Sequence, residues 1–217
     1  MNENLKKIHE YLMSRGVSEE KLLRSDTSSV YLALEIMEYA HRNQKRDNGE
    51  DYANHPTRCL GTYRQLIDIG PDGDGDMDED LLIDCDVPFW GVQEVCLLHD
   101  VIEDTEFTIE DVRDIYIDCG FENYFDMYIG HALRCITHDK SMDYGDYIKI
   151  CLKNPVAALV KLIDMQDNLR ILDLTSYDED KYHRAQGYLF WTFIINDTYR
   201  FVENTEKYRK VMRGEHQ

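Results

Sequence analysis

The chain has 217 residues, 43% of them apolar and 31% charged, a balance that supports a folded core and excludes a disordered chain. Its formal charge of −19 argues against binding nucleic acid or an anionic membrane, both of which attract basic surfaces, and admits a phosphate-bearing small molecule only in a locally positive pocket. Six cysteines lie far apart with no C-x-x-C pair, the N-terminal MNENLKKIHEYLMSRG has no apolar signal core, and no run approaches the roughly 18 apolar residues of a membrane span, so reduced thiols and a cytoplasmic location are expected.

The length suits a single domain over residues 1–217, and the sequence leaves the oligomeric state open, a homo-oligomer included. Only four prolines occur, and apolar residues recur at close to the ~3.6 spacing of a helix, with little strict alternation, so the expected class is all-α. In SSVYLALEIMEYAHRNQ, Val30, Leu34, Met37 and His41 form one helical stripe. Residues 68–86, DIGPDGDGDMDEDLLIDCD, hold nine acidic residues and no basic one. A calcium loop starting at Asp72 would need glycine and glutamate where Met77 and Ile83 stand, so a solvated connection between helices is the expectation. Thr108 with Asp111 resembles a capping box opening TIEDVRDIYIDCG, which stops at Gly120. NPVAALVKLIDMQDNLRILDL predicts a long buried helix with Pro155 in its first turn. HRAQGYLFWTFIINDTYRFVENTEKYRKV predicts another, amphipathic and rich in aromatics. There is no internal repeat.

The stretch LLHDVIEDTEFT gathers His99 and Asp100, then Glu103 and Asp104 one turn later, on nearly one face of a helix. Buried charge without compensation is costly, so such a cluster has a cation, a partner or open water beside it. A surface turn explains His99–Asp100 alone equally well. Two further stretches change that balance: NGEDYANHP places His55 at a helix start, and VKLIDMQDNLR places Asp164 in the middle of an apolar helix. Two imidazoles and two carboxylates from three helices suit Mn²⁺, Fe²⁺ or Zn²⁺ better than calcium, and the lack of a sulfur ligand favours a site with open positions.

In order and context, His55, His99–Asp100 and Asp164 are similar to the H…HD…D signature of the HD-domain metal-dependent phosphohydrolases. Within that superfamily AHRNQKRDNGEDYANHP resembles the opening motif of the RelA/SpoT-type hydrolase domain and of the small alarmone hydrolases. LLHDVIEDT resembles their second motif, VKLIDMQDNLR their third, and HRAQGYLFW a later segment of the small hydrolases. The resemblance runs over about residues 28–192, and nothing in the chain resembles the synthetase half of the long bifunctional enzymes.

The resemblance implies an HD-domain helical bundle with a metal site between helices. It implies one catalytic metal, Mn²⁺ or another divalent transition metal, held by His55, His99, Asp100 and Asp164, with Glu103 and Asp104 as the catalytic pair. It implies further that Arg46 stacks on the purine, that Asn168 holds the ribose, and that Arg184 and Tyr188 contact substrate. Each of these four has a plainer reading: a solvated helix-end cation, a backbone cap, an exposed pair on an amphipathic helix. The implied activity is hydrolysis of the 3′-diphosphate of guanosine alarmones to GDP or GTP and pyrophosphate. The competing readings are the same chemistry on an adenosine alarmone or NADPH, and a nucleotide sensor without turnover. Two departures bear on substrate choice: Asp47 stands where these hydrolases commonly carry a basic residue, and the acidic segment 68–86 has no counterpart in compact members. His131 and His138 are expected to be structural, His41 fits a position of the opening motif but a core histidine or a helix C-terminal cation explains it equally well, and Lys161 either assists a phosphate or snorkels.

Overall fold

The computed structural model describes residues 2–18, 28–67, 78–172 and 178–215. Within them, short polar side chains mark where helices begin. Asn2 opens α1 (Glu3–Ser14), and Ser28 opens α2 (Ser29–Ala40) by accepting the N–H of Tyr31 at 3.2 Å. Then follow α3 (Asn54–Leu66), α4 (Glu79–Asp84), α5 (Val92–Leu98) and the single turn α6 (Val101–Asp104). Thr108 and Asp111 form the expected reciprocal capping box at the start of α7 (Ile109–Asp118). The short α8 (Glu122–Tyr124) runs through a π-helical turn at Phe125–Ile129 into α9 (Gly130–Ile136). Asp143 caps α10 (Tyr144–Cys151), and Asn154 with Pro155 starts α11 (Pro155–Ile171). Asp178 caps α12 (Glu179–Tyr199), and α13 is Phe201–Met212.

The expected all-α class holds: among the described residues there is no strand, only an isolated bridge between Lys45 and Asp51. The buried apolar residues form one cluster that runs from Leu5 in α1 to Tyr208 in α13. Its axis is α11, which is apolar almost all round and buries Ala157 to Val160, Leu162, Ile163 and Met165. Five neighbours, α3, α5, α9, α10 and α12, pack against it. None of the described helices is long and apolar enough to cross a membrane.

Three details differ from the sequence expectations. Of the stripe Val30–Leu34–Met37–His41, Met37 and His41 are fully buried but Val30 and Leu34 only partly, because the buried face of α2 centres on Leu32, Ala33, Ile36 and Met37. Packing of α1 and α5 on two sides of α2 widens that face. The expected helix from His183 to Val211 breaks at Arg200, which adopts φ 53° and ψ 37°. Asn196 supplies the reason: its carbonyl accepts the Arg200 N–H at 2.6 Å, and its side-chain oxygen accepts the Val202 N–H at 3.0 Å. Finally, most of the stretch considered for calcium lies outside the described residues, but the acidic segment is helical from Glu79, with Leu82 and Cys85 buried. Two apolar side chains per turn anchor that end to the core despite its charge.

Candidate metal and nucleotide site

His99 and Asp100 do not continue one helix with Glu103, as the spacing suggests. They form a two-residue turn between α5 and α6. Both keep right-handed helical backbone angles, and their side chains nevertheless converge: His99 Nε2 lies 3.2 Å from Asp100 Oδ2.

His55, in the first turn of α3, and Asp164, in the middle of α11, complete the group. His55 Nε2 lies 3.1 Å from Asp164 Oδ1 and 3.6 Å from Asp100 Oδ2, and His99 Nε2 lies 3.8 Å from Asp164 Oδ1. The imidazoles meet edge to face with centroids 5.2 Å apart. His55, His99 and Asp164 are all at most 4% exposed. The structure thus brings together all four residues that the sequence singles out as ligands.

The protons on the rings fit a metal. His99 Nδ1 donates to the Cys96 carbonyl at 2.9 Å, and His55 Nδ1 donates to Asp167 Oδ2 at 2.7 Å. Each ring therefore turns its other nitrogen, Nε2, toward the two carboxylates. His99 Nε2 is buried and has hydrogen-bond geometry to no partner. Burial alone would depress both imidazoles, but Asp164 and Asp167 at His55 and Asp100 and Asp164 at His99 outweigh it. As a result His55 is raised and His99 is pushed up to about 10. The cluster demands positive charge at its centre, and nitrogen lone pairs beside carboxylate oxygens are the donor set for a divalent transition ion. His55 and His99 can hold a metal ion.

Cys59, which approaches the same pair, sits 3.9 Å from His55 Nδ1, the nitrogen engaged with Asp167. Burial first, and then the nearby carboxylates, push its thiol far up, so it fills space behind the ring as a neutral group.

Outer partners fix these side chains. Asp164 uses its two oxygens differently: Oδ1 faces the histidines and accepts Asn168 Nδ2 at 2.6 Å, and Oδ2 accepts Lys161 Nζ at 2.8 Å. Burial opposes ionisation of Asp164, but Lys161 and the imidazoles hold its carboxyl well below the usual range. Asp167 takes a bidentate contact from Arg58, with Nε and Nη2 both at 2.9 Å, and one from Arg170 at 3.0 Å. Arg58 also pairs with Glu50. Sequence reading missed Asp167 and Arg58; the signal available was their position three residues, about one turn, after Asp164 and His55. Asp167→Asn is expected to weaken divalent-metal affinity about 10- to 100-fold, since it loosens the ring that presents Nε2, and calorimetric titration of metal-free protein checks this.

Glu103 is half-buried, and its Oε2 accepts the His138 N–H at 3.1 Å. Burial, with Asp100 and Asp104 nearby, raises its carboxyl despite that bond and the charge of Lys161. Asp104 Oδ1 lies 3.4 Å from Lys140 Nζ, and its Oδ2 lies 2.9 Å from Tyr52 Oη. Tyr52, also missed, has its hydroxyl 2.8 Å from Asp100 Oδ2 as well. Burial and these two carboxylates keep the phenol protonated. His41 is buried and stacks on Tyr52 with centroids 4.5 Å apart.

Beside this cluster lies a cavity of about 440 Å³ whose wall includes Arg46, Asn168, Arg184 and Tyr188, the four residues expected to contact substrate. Arg46 Nη2 donates to Asn168 Oδ1 at 2.5 Å, so a hydrogen-bond chain runs from the cavity through Asn168 to Asp164. Lys45 and Lys181, which the sequence reading did not single out, line it too. The wall carries four basic side chains and one acidic one, Asp47, in a chain whose net charge is −19. That is the locally positive pocket that a phosphorylated ligand requires.

The chain is similar to the guanosine-3′,5′-bis(diphosphate) 3′-pyrophosphohydrolase MESH1 of Drosophila melanogaster, 27% identical over 179 residues, which is 77% of this chain and 84% of that protein. It is 26% identical to the human protein of the same name over 204 residues, covering 88% of this chain and 97% of that one. This chain resembles the RelA/SpoT-type and small alarmone hydrolases. A much longer guanosine-3′,5′-bis(diphosphate) 3′-pyrophosphohydrolase of Aquifex aeolicus matches over 19% of its own length, at 28% identity. A solved structure, described as a metazoan ortholog of SpoT that hydrolyzes ppGpp, shares the fold with a TM-score of 0.53 at 23% identity. It covers 88% of this chain and 98% of that one. No protein-family profile matches the chain.

Proposed function

We propose that the chain is a Mn²⁺-dependent pyrophosphohydrolase that removes the 3′-diphosphate of guanosine tetra- or pentaphosphate, giving GDP or GTP and pyrophosphate. The observation that carries this reading is the junction of two unlike sites. A buried His₂Asp₂ cluster adjoins a cationic cavity, and Asn168 joins them by hydrogen bonds to Arg46 on one side and Asp164 on the other. The curated relatives with this activity support the substrate.

His55, His99, Asp100 and Asp164 would hold the ion, which supplies Lewis acidity and a water acidified toward a pKa of about 7. Phosphate ester hydrolysis is so slow without a catalyst that the site must lower the barrier by on the order of 20 kcal/mol. Fixed charge and positioning are the means this chain has for that. In this reading Arg46 stacks its planar guanidinium on the base and Asn168 holds the ribose. Arg184, Lys181 and Lys45 meet phosphate charge, and Tyr188 closes the wall beside them. Glu103, whose carboxyl is raised, takes the proton of the attacking water; Asp104 shares the proton traffic as the 3′ oxygen departs.

The test is product analysis with Mn²⁺ and guanosine tetraphosphate. GDP and pyrophosphate in equal amounts are expected, and release of no pyrophosphate at any Mn²⁺ concentration would overturn the assignment. Arg184→Ala is expected to raise KM more than it lowers kcat, because the side chain is exposed on the cavity wall and serves binding. Steady-state kinetics over a substrate series checks it.

Asp47 on the cavity wall favours a second reading, the same reaction on an adenosine alarmone or NADPH, because an acidic group there alters where phosphates can rest. Relative kcat/KM across guanosine tetraphosphate, its adenosine analogue and NADPH separates the two.

A further inference from the structure

Tyr52 lies between the histidine–carboxylate cluster and the cavity. Its hydroxyl stands between Asp100, 2.8 Å away, and Asp104, 2.9 Å away. Its ring meets His55 edge to face at 6.3 Å, lies under the Arg46 guanidinium at 5.6 Å, and forms part of the cavity wall. The residue is itself fixed from behind. His41 stacks on the ring, and the Tyr52 N–H donates to the Gln44 carbonyl at 3.1 Å. Gln44 Oε1 accepts from His41 Nδ1 at 2.6 Å, and Gln44 Nε2 donates to the Asp104 carbonyl at 2.7 Å. The side chain and the backbone of Asp104 are thus both held by one rigid unit, His41–Gln44–Tyr52.

This arrangement addresses a physical difficulty. Asp100 and Asp104 belong to the same short segment, and two carboxylates drawn toward one centre repel each other. A neutral hydroxyl between them, its one proton shared by Asp100 and Asp104, lessens that repulsion and adds to the contacts Asp100 makes with the histidines and Asp104 with Lys140. It also limits the rotamers of Asp104, whose side chain is otherwise one-third exposed.

We propose that Tyr52 is a positioning residue whose hydroxyl orients Asp100 among the residues that would hold the ion and fixes Asp104 beside it. The proposal rests on the ligand assignment given above, and one of its two readouts needs no substrate. Metal-free protein is titrated with Mn²⁺, and free Mn²⁺ is followed by electron paramagnetic resonance, for wild type, Tyr52→Phe and Tyr52→Leu. Loss of an outer partner of a ligand should raise the Mn²⁺ Kd about 10-fold in Tyr52→Phe, and Tyr52→Leu should match it. In steady-state assays on guanosine tetraphosphate, Tyr52→Phe should lower kcat by about 10- to 100-fold while KM changes by less than about threefold.

Tyr52→Phe keeps the ring, its stacking on His41 and its place in the wall, so a role in packing alone predicts a different pattern. If Tyr52→Phe binds Mn²⁺ within about twofold of wild type and only Tyr52→Leu is impaired, the hydroxyl has no such role and the proposal falls. If wild type takes up Mn²⁺ but releases pyrophosphate from no nucleotide, the hydrolase reading falls, and the metal titration still decides the part played by Tyr52. Failure of wild type to take up Mn²⁺ overturns both.

Discussion

Replacing Asp164 by asparagine is expected to abolish metal uptake and with it all hydrolysis. The carboxylate is buried at 4% exposure and serves two opposite neighbours: the histidines and Asn168 Nδ2 at Oδ1, and Lys161 Nζ at Oδ2. An amide can present an oxygen to only one of them. If the oxygen stays with Lys161, the new NH₂ faces the Asn168 NH₂ and the metal position with no lone pair to offer. If it stays with the histidines, the NH₂ meets an ammonium whose own charge is almost fully enclosed. Either way a donor confronts a donor, so affinity should fall by more than the about 10- to 100-fold that loss of an outer partner costs. Leaving Lys161 without its counter-charge should also destabilise the metal-free protein by about 1–3 kcal/mol. Calorimetry with Mn²⁺ and a thermal melt of the metal-free variant check both; full activity would contradict the ligand assignment.

The second large effect is on stability. Gly91 caps α5 with φ +76°, in the left-handed region, and a Cβ placed there would lie 2.6 Å from the backbone oxygen of Tyr128 and 3.0 Å from its carbonyl carbon. Tyr128 belongs to the π-helical turn, so the obstacle is backbone and cannot rotate aside. Gly91→Ala should combine left-handed strain with a steric shift of α5, at about 2–4 kcal/mol in all. For a chain of this size, each kcal/mol lowers Tm by about 2–4 °C, so a drop of roughly 4–16 °C is expected by calorimetry. Because α5 leads directly into His99 and Asp100, Mn²⁺ affinity should fall too. A melting temperature equal to wild type would mean that the α5–π-turn contact relaxes without cost.

Much of this site can be read in the sequence because its residues are chemically out of place. Asp164 interrupts an apolar helix and His99–Asp100 follow an apolar run, and unlike residues in such settings signal a partner before any fold is known. The supporting residues carry no such mark. Asp167 and Arg58 look like ordinary charged positions, and Tyr52 is one of 15 tyrosines. Their roles appear only once α3 lies beside α11 and the 44–52 segment folds over α6. Gly91 was equally silent, because its requirement comes from a backbone 37 residues away, at Tyr128.

The amino-acid sequence by itself determined the helical class, the cap at Thr108, the helix start at Pro155, and the identity of the groups able to bind a cation, since these follow from local hydrogen bonding, backbone constraint and side-chain chemistry. Tertiary structure alone decided the rest. It placed the turn at His99–Asp100, gathered four cations around one cavity in an acidic chain, and brought Tyr52 to Asp100 across 48 residues and Arg46 to Asn168 across 122. Such contacts depend on distances between helices set by packing of the shared core, and helical periodicity fixes which face a residue occupies but not what that face will meet.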